Sequence, residues 1–269
     1  MVGTEARRAP GAALTEPIFR RDGDAFVPTG HARGPWHPGQ LHGGAPAALV
    51  GEALQEDGYV VARLTFDFLA PVPLAPLTVT AHTTKPGRNV QLAEAEVAAD
   101  GTTVLRARAM RLRRGEVALP PAEADDPPPP PETGRHDPFP APQDSEGFHL
   151  TAMDIRFVGD TSFGLGPAFA WFRLTRPLID DEPPSPLART LAAADFGNGV
   201  SRTVDFEHYL FVNTDLTVHL HREPAGEWVL LDARTRLEPS GAGLAYSALS
   251  DERGRIGIAA QSLFVAQRR

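Results

Sequence analysis

Apolar and polar positions repeat along this 269-residue chain in one order, twice. In the first half, PAALVGEALQ carries apolar side chains at most positions, the pattern of a short helix buried on nearly all sides. ARLTFDFLAPVP then reads as a strand that ends in prolines, and LTVTAHTTKPGRN as a second strand running into a turn. VQLAEAEVAADGTTVLRARAMRLR reads as two strands joined at Asp100-Gly101, a hairpin signal. The second half repeats this. PLARTLAAADFGNG is a helical segment closed by glycine, NTDLTVHLHREP a strand ending in proline, and EWVLLDARTRLEPSGAG a strand and turn. LAYSALSDERGRIGIAAQSLFVAQ is again two strands about a glycine turn.

The repeat has a register. LTFDFLAPVP aligns with LTVHLHREP, and KPGRNV aligns with PSGAGL. IFRRDGDAFVPTG, DIRFVGD and AFAWFRLTR supply further strands before the helices. The expected unit is a long antiparallel sheet wrapped around one buried helix, present twice. Ten of the 27 prolines fall in LPPAEADDPPPPPETGRHDPFPAPQ, where they disfavour helix and sheet. The chain is therefore divided into an N-terminal unit at 1–118, a proline-rich linker at 119–145 and a C-terminal unit at 146–269.

Composition narrows the chemistry. There are no cysteines, which removes disulfides, thiolate metal sites and cysteine nucleophiles. The net charge of −8 argues against a nucleic-acid partner. No run of about 18 apolar residues suggests a membrane span, and the first residues lack the apolar core of a signal peptide. A cytoplasmic location is expected. Only Lys85 among the 26 basic residues is lysine, so a phosphate would meet arginine.

HGGAPAALVGEAL, with FLAPVPLAPLTVTAHTTKPGRNVQLAEAEVAADGTTVLRARA, resembles the first half of the acyl-CoA thioesterase II type, the double hot-dog thioesterases. In the second half, Asp215-Leu-Thr-Val-His-Leu-His221-Arg222 is similar to that family's aspartate-led strand. Trp228-Val-Leu-Leu leading to Thr235, and Gln261 in IAAQSLFV, match its later hydroxyl and glutamine positions. The resemblance implies an α+β double hot-dog fold and hydrolysis of acyl-CoA without a cofactor. It also implies an Asp/Thr/Gln set that activates water. On that basis Asp215 is the expected general base, Thr235 holds the water, and Gln261 orients it and stabilises developing charge. His42, Gly43 and Gly44 open the first helix, whose free N–H groups suit the thioester oxygen. The second unit has no glycine pair at its helix start, so one productive site per chain is expected, shared between the halves.

Alternatives stay open. Glu52, ten residues after His42, is a second choice of base; Arg88 and Arg222 are choices for coenzyme A phosphates. His219 and His221 share a strand face with Asp215, but no further ligand cluster accompanies them, so no metal is expected. A non-catalytic acyl-thioester or lipid-binding module, or a hot-dog enoyl-CoA hydratase, would use the same fold. Exposed sheet edges favour further association into a homo-oligomer.

Overall fold

The computed structural model describes residues 16–120, 126–139, 141–142 and 145–268. The first unit contains β1 (Phe19–Asp22), β2 (Ala25–Pro28), α1 (Gly44–Ala53), β3 (Tyr59–Phe68), β4 (Leu77–Lys85), β5 (Val90–Ala99) and β6 (Thr102–Arg113). The second contains β7 (Met153–Phe157), β8 (Ala168–Leu174), α2 (Pro186–Ala194), α3 (Gly197–Val200), β9 (Tyr209–Asn213), β10 (Asp215–Leu220), β11 (Val229–Leu237), β12 (Ala242–Asp251) and β13 (Gly254–Gln267). This is the double hot-dog α+β fold. Among the described residues, no helix is long and apolar enough to cross a membrane.

Local chemistry sets the boundaries. Asp100 and Gly101 both have positive φ, 47° and 74°, the pair a tight hairpin between twisted strands requires. Ser185 caps α2 by accepting from Ala188 N–H at 3.1 Å, and Pro186 follows at the first helical position, where no N–H is missed. Helix α1 has no such cap, and Gly44 to Gly51 are all buried, so only its last residues reach solvent.

All thirteen strands form one sheet, in the order β1-β2-β4-β5-β6-β3-β10-β13-β12-β11-β8-β7, with β9 branching onto β13. The two units meet where β3 pairs antiparallel with β10. Thr65 lies opposite Thr217 there. These two residues are equivalent in the sequence repeat, LTF against LTV. A residue facing its own copy is what a local two-fold axis demands, so the duplication and the seam describe one symmetry.

Both helices lie on one side of this sheet and run antiparallel. A Cβ at Gly44 would come within 2.6 Å of the Ala192 carbonyl, and one at Gly51 within 2.5 Å of Leu191. The start of α1 is thereby fixed against the end of α2. The proline-rich segment is more than a tether. Pro131 is buried, Pro129 O accepts from Trp171 Nε1 at 2.9 Å, and Arg135 bridges Phe157 at the β7 edge.

Gly257 on β13 tests the seam. A Cβ there would overlap the His219 carbonyl on β10, which is backbone and has no rotamer to escape into. Gly257→Ala is expected to destabilise the fold by about 1–3 kcal/mol, the usual cost of overpacking, read as a lower midpoint in urea unfolding.

Candidate active site

Where α1 begins and α2 ends, polar groups converge inside an otherwise apolar layer. Asp195 is the C-cap of α2 and is only 4% exposed. A carboxylate at a helix C-terminus opposes the helix dipole, and burial adds to its cost. The surroundings compensate. Asn213 Nδ2, from the end of β9, donates to Asp195 Oδ1 at 2.8 Å. Gln261 Nε2, from β13, donates to the same oxygen at 3.3 Å and to the Asp195 carbonyl at 3.2 Å. The Gln261 amide is fixed from its other end, where Oε1 accepts from Asn198 N–H at 3.1 Å.

The second carboxylate oxygen faces the first unit. Asp195 Oδ2 lies 3.0 Å from His42 Nδ1. The same nitrogen is 3.1 Å from Gly44 N–H, which donates to it. One ring nitrogen can accept from Gly44 or, when protonated, donate to Asp195, but not both at once. The two contacts therefore exchange with a proton. The His42 ring is held between Phe196, with centroids 4.3 Å apart, and Phe148, 5.1 Å away. No acceptor among the described residues meets the Gly43 N–H.

The glycine pair has a further reason beyond an open approach for substrate. A Cβ at Gly43 would sit 2.8 Å from Asp195 Oδ2, and one at Gly44 would strike α2. The pair lets α1 touch the end of α2, a requirement that belongs to the contact between units and not to either unit alone.

Three expected residues occupy other positions. Asp215 lies on the opposite face of the sheet from Gln261. Leu216 and Val218 point inward on β10, so Asp215 and Thr217 point outward by strict alternation. Its Oδ1 accepts from Ser262 N–H at 2.5 Å, and Asp67 is its cross-strand neighbour. Thr235 is on the inner face, opposite Ala245, which is in turn opposite Gln261. That places it two strand spacings away, roughly 10 Å. Ser201 Oγ donates to Gly197 O at 2.8 Å, so the 2.8 Å contact between Ser201 and Thr235 carries the threonine's proton. Thr235 thus secures α3 and does not touch Asp195. Glu52 sits at the far end of α1, where its carboxylate accepts from Ser185 N–H at 2.7 Å and Gln55 at 2.7 Å. Gln261 and His42 do come together, through Asp195.

The arginines expected for phosphates are elsewhere. Arg222 is a bidentate partner of the fully buried Asp251, at 2.6 and 2.5 Å. Arg88 is exposed in the β4–β5 turn. Away from the junction of α1 and α2, Glu16, His31 and Glu146 bring possible ligand atoms within 4.8 Å of one another. His31 is already engaged there, with Thr151 Oγ1 at 2.7 Å from Nδ1 and Glu16 at 3.3 Å from Nε2.

Sequence reasoning missed Asp195 and Asn213. A signal existed for the first: an acid directly after the alanine run of a buried helix, LAAAD, is electrostatically costly and asks for a purpose. Asn213 stands two residues before Asp215, in a strand with no polar pattern to single it out.

The family model for the acyl-CoA thioesterase N-terminal domain matches residues 32–112, and that for the acyl-CoA thioesterase C-terminal domain matches residues 121–265. The chain belongs to the acyl-CoA thioesterase family. Among solved structures, it is similar to a candidate thioesterase II from Thermobifida fusca YX, with 21% identity, TM-score 0.72, and 93% of this chain and 97% of that one covered. A candidate thioesterase from Novosphingobium aromaticivorans DSM 12444 aligns with 24% identity, TM-score 0.69 and coverage of 93% and 99%. The acyl-CoA thioesterase II of Mycobacterium marinum aligns with 16% identity, TM-score 0.61 and coverage of 92% and 94%. At such identities these likenesses show the fold. No curated protein sequence matches the chain.

One neighbour of the site titrates abnormally. Burial, reinforced by nearby His42, lowers the His149 pKa to about 4, and its Nδ1 has no hydrogen-bond partner. The unfolded chain, with an ordinary histidine near 6.5, binds a proton between pH 6.5 and 4 that the folded chain refuses. Stability should therefore fall as pH drops through that window, by about 3 kcal/mol from this group. His31, lowered chiefly by burial and then by Arg176, acts in the same direction. His149→Asn should flatten the pH dependence of the thermal midpoint between pH 6.5 and 4; an unchanged slope would remove His149 as its source.

Proposed function

We propose that this protein hydrolyses acyl-CoA thioesters where the start of α1 meets the end of α2, with Asp195 as general base. The supporting observation is the buried Asp195 carboxylate, held on one oxygen by Asn213 and Gln261 and turned with the other toward the start of α1. In this reading a water beside Asp195 Oδ2 loses its proton to the carboxylate as its oxygen attacks the thioester carbon. The carbonyl oxygen becomes an oxyanion, which the Gly43 N–H and the positive end of α1 stabilise. Collapse breaks the carbon–sulfur bond, and the proton on Asp195 passes to the departing thiolate. The product is a free acid and coenzyme A.

Asn213 and Gln261 act as orienting donors. They spread the charge of Asp195 and leave Oδ2 as the more basic oxygen. When His42 carries a proton on Nδ1 it donates to Asp195, and Gly44 N–H is then free to join the oxyanion donors. Two units supply one site: the helix start comes from the first half and the base from the second. At the other end of the helix pair, Glu52 accepts from the N–H of Ser185, the N-cap of α2, beside a separate cavity of about 320 Å³. That arrangement supports one productive site per chain.

Steady-state hydrolysis with a free-thiol readout tests the assignment. Asp195→Asn should lower kcat by about 10²–10⁴-fold, the range of a lost general base. Asp215→Asn should stay close to wild type. Asn213→Ala should fall between, about ten- to a hundredfold, as expected for losing one hydrogen bond to a charged group. An active Asp195→Asn enzyme would exclude this mechanism.

A further inference from the structure

Arg202 follows directly on Ser201, the residue that secures α3 to Thr235. Its guanidinium packs on two rings, with Cζ 4.1 Å from the centre of Phe163 and 4.9 Å from that of Phe206. Nε and Nη1 are sealed from solvent and have no hydrogen-bond partner. Among the described residues no other side chain has two such nitrogens, and no carboxylate pairs with this guanidinium. Asp205, the nearest acid that acts on it, is taken by His208, whose backbone N–H and Nδ1 lie 2.7 and 2.8 Å from Oδ1.

A half-buried cation with two sealed nitrogens and no carboxylate among the described residues is costly, and folded proteins pair such groups where they can. This chain does so elsewhere: Arg222 has Asp251, and Arg156 and Arg173 share Asp154. Arg202 also lies at one end of a row of aromatic contacts that leads toward His42. Phe163 packs on Phe139 with centroids 3.8 Å apart, Phe139 meets the His149 ring at 5.4 Å, and the adjacent Phe148 packs on His42 at 5.1 Å. An unpaired fork of donors at one end of an apolar path, with the reacting groups at the other, is suited to a substrate that is anionic away from its reacting carbon.

We propose that Arg202 is a specificity-determining residue that binds an oxyanion, a carboxylate or a phosphate, carried by the thioester substrate at a distance from the thioester. This rests on the thioesterase reading above. The carboxylate would sit on the acyl chain, the phosphate on coenzyme A.

Arg202→Met keeps the stem against both rings and removes the charge; Arg202→Lys keeps a charge without the fork. Four thioesters separate the sources: a neutral acyl and an ω-carboxyacyl group, each on coenzyme A and on N-acetylcysteamine, which has no phosphate. In Arg202→Met, kcat/KM should fall about ten- to a hundredfold more on the anionic than on the neutral member of a pair, with part of the loss recovered by lysine. A loss that follows the acyl carboxylate on both thiols identifies the acyl chain; one that follows coenzyme A with both acyl groups identifies the phosphates. An equal loss on all four, or none on any, overturns the proposal. The thermal midpoint of Arg202→Met should be equal to or above that of the wild type, whereas a drop would mean that the arginine only clamps the rings. Should the wild type hydrolyse none of the four, the thioesterase reading fails by itself. Calorimetric titration of coenzyme A and of glutarate then decides for Arg202: weaker binding of either by Arg202→Met supports the oxyanion site, and equal binding overturns it.

Discussion

The contact between the start of α1 and the end of α2 is the constraint on which the site depends. Two helices of small residues lie antiparallel, close enough that side chains at Gly43 and Gly44 would strike the other unit. The positive end of one helix thereby meets the negative end of its copy. A carboxylate placed at that negative end is expensive by itself. Here it lies against the N-terminus of the neighbouring helix and accepts two amide hydrogen bonds. The same packing therefore makes Asp195 tolerable and places it where backbone donors are free.

The continuous sheet supplies the second requirement, which is rigidity. Gln261 on β13 and Asn213 on β9 belong to neighbouring strands of one ladder, so their spacing is set by backbone hydrogen bonds rather than by loops. The seam between β3 and β10 joins the two units through a residue and its own copy. A helix pair held against such a sheet cannot slide, and the distance from His42 to Asp195 is fixed accordingly. Duplication built a two-fold frame. Divergence then made the two helix starts different, one opened by glycines and the other closed by Ser185, Pro186 and Glu52.

The proline-rich segment, the β7–β8 connection and the region after α3 pack their aromatic side chains together. Phe139 and Phe163 come from stretches with little regular structure, tied by the 2.7 Å bond from Phe163 N–H to Asp137. Their rings connect His149 to Arg202.

The sequence by itself determined the two repeated units, the buried helices and the Asp100-Gly101 hairpin. These are properties of local periodicity and of backbone-specific residues, which act over a few positions. Gln261 and the glycine pair were also legible, through likeness to a family. Only the tertiary structure decided which carboxylate meets His42, Asn213 and Gln261. Along β10 a one-residue step moves a side chain to the other face, and Asp215 falls on the outer one. Asp195, Asn213 and Arg202 were not legible because what surrounds them crosses from elsewhere in the fold: a second helix, a third strand, or, for Arg202, two aromatic rings and no carboxylate pair among the described residues. No pattern along a single segment records those contacts.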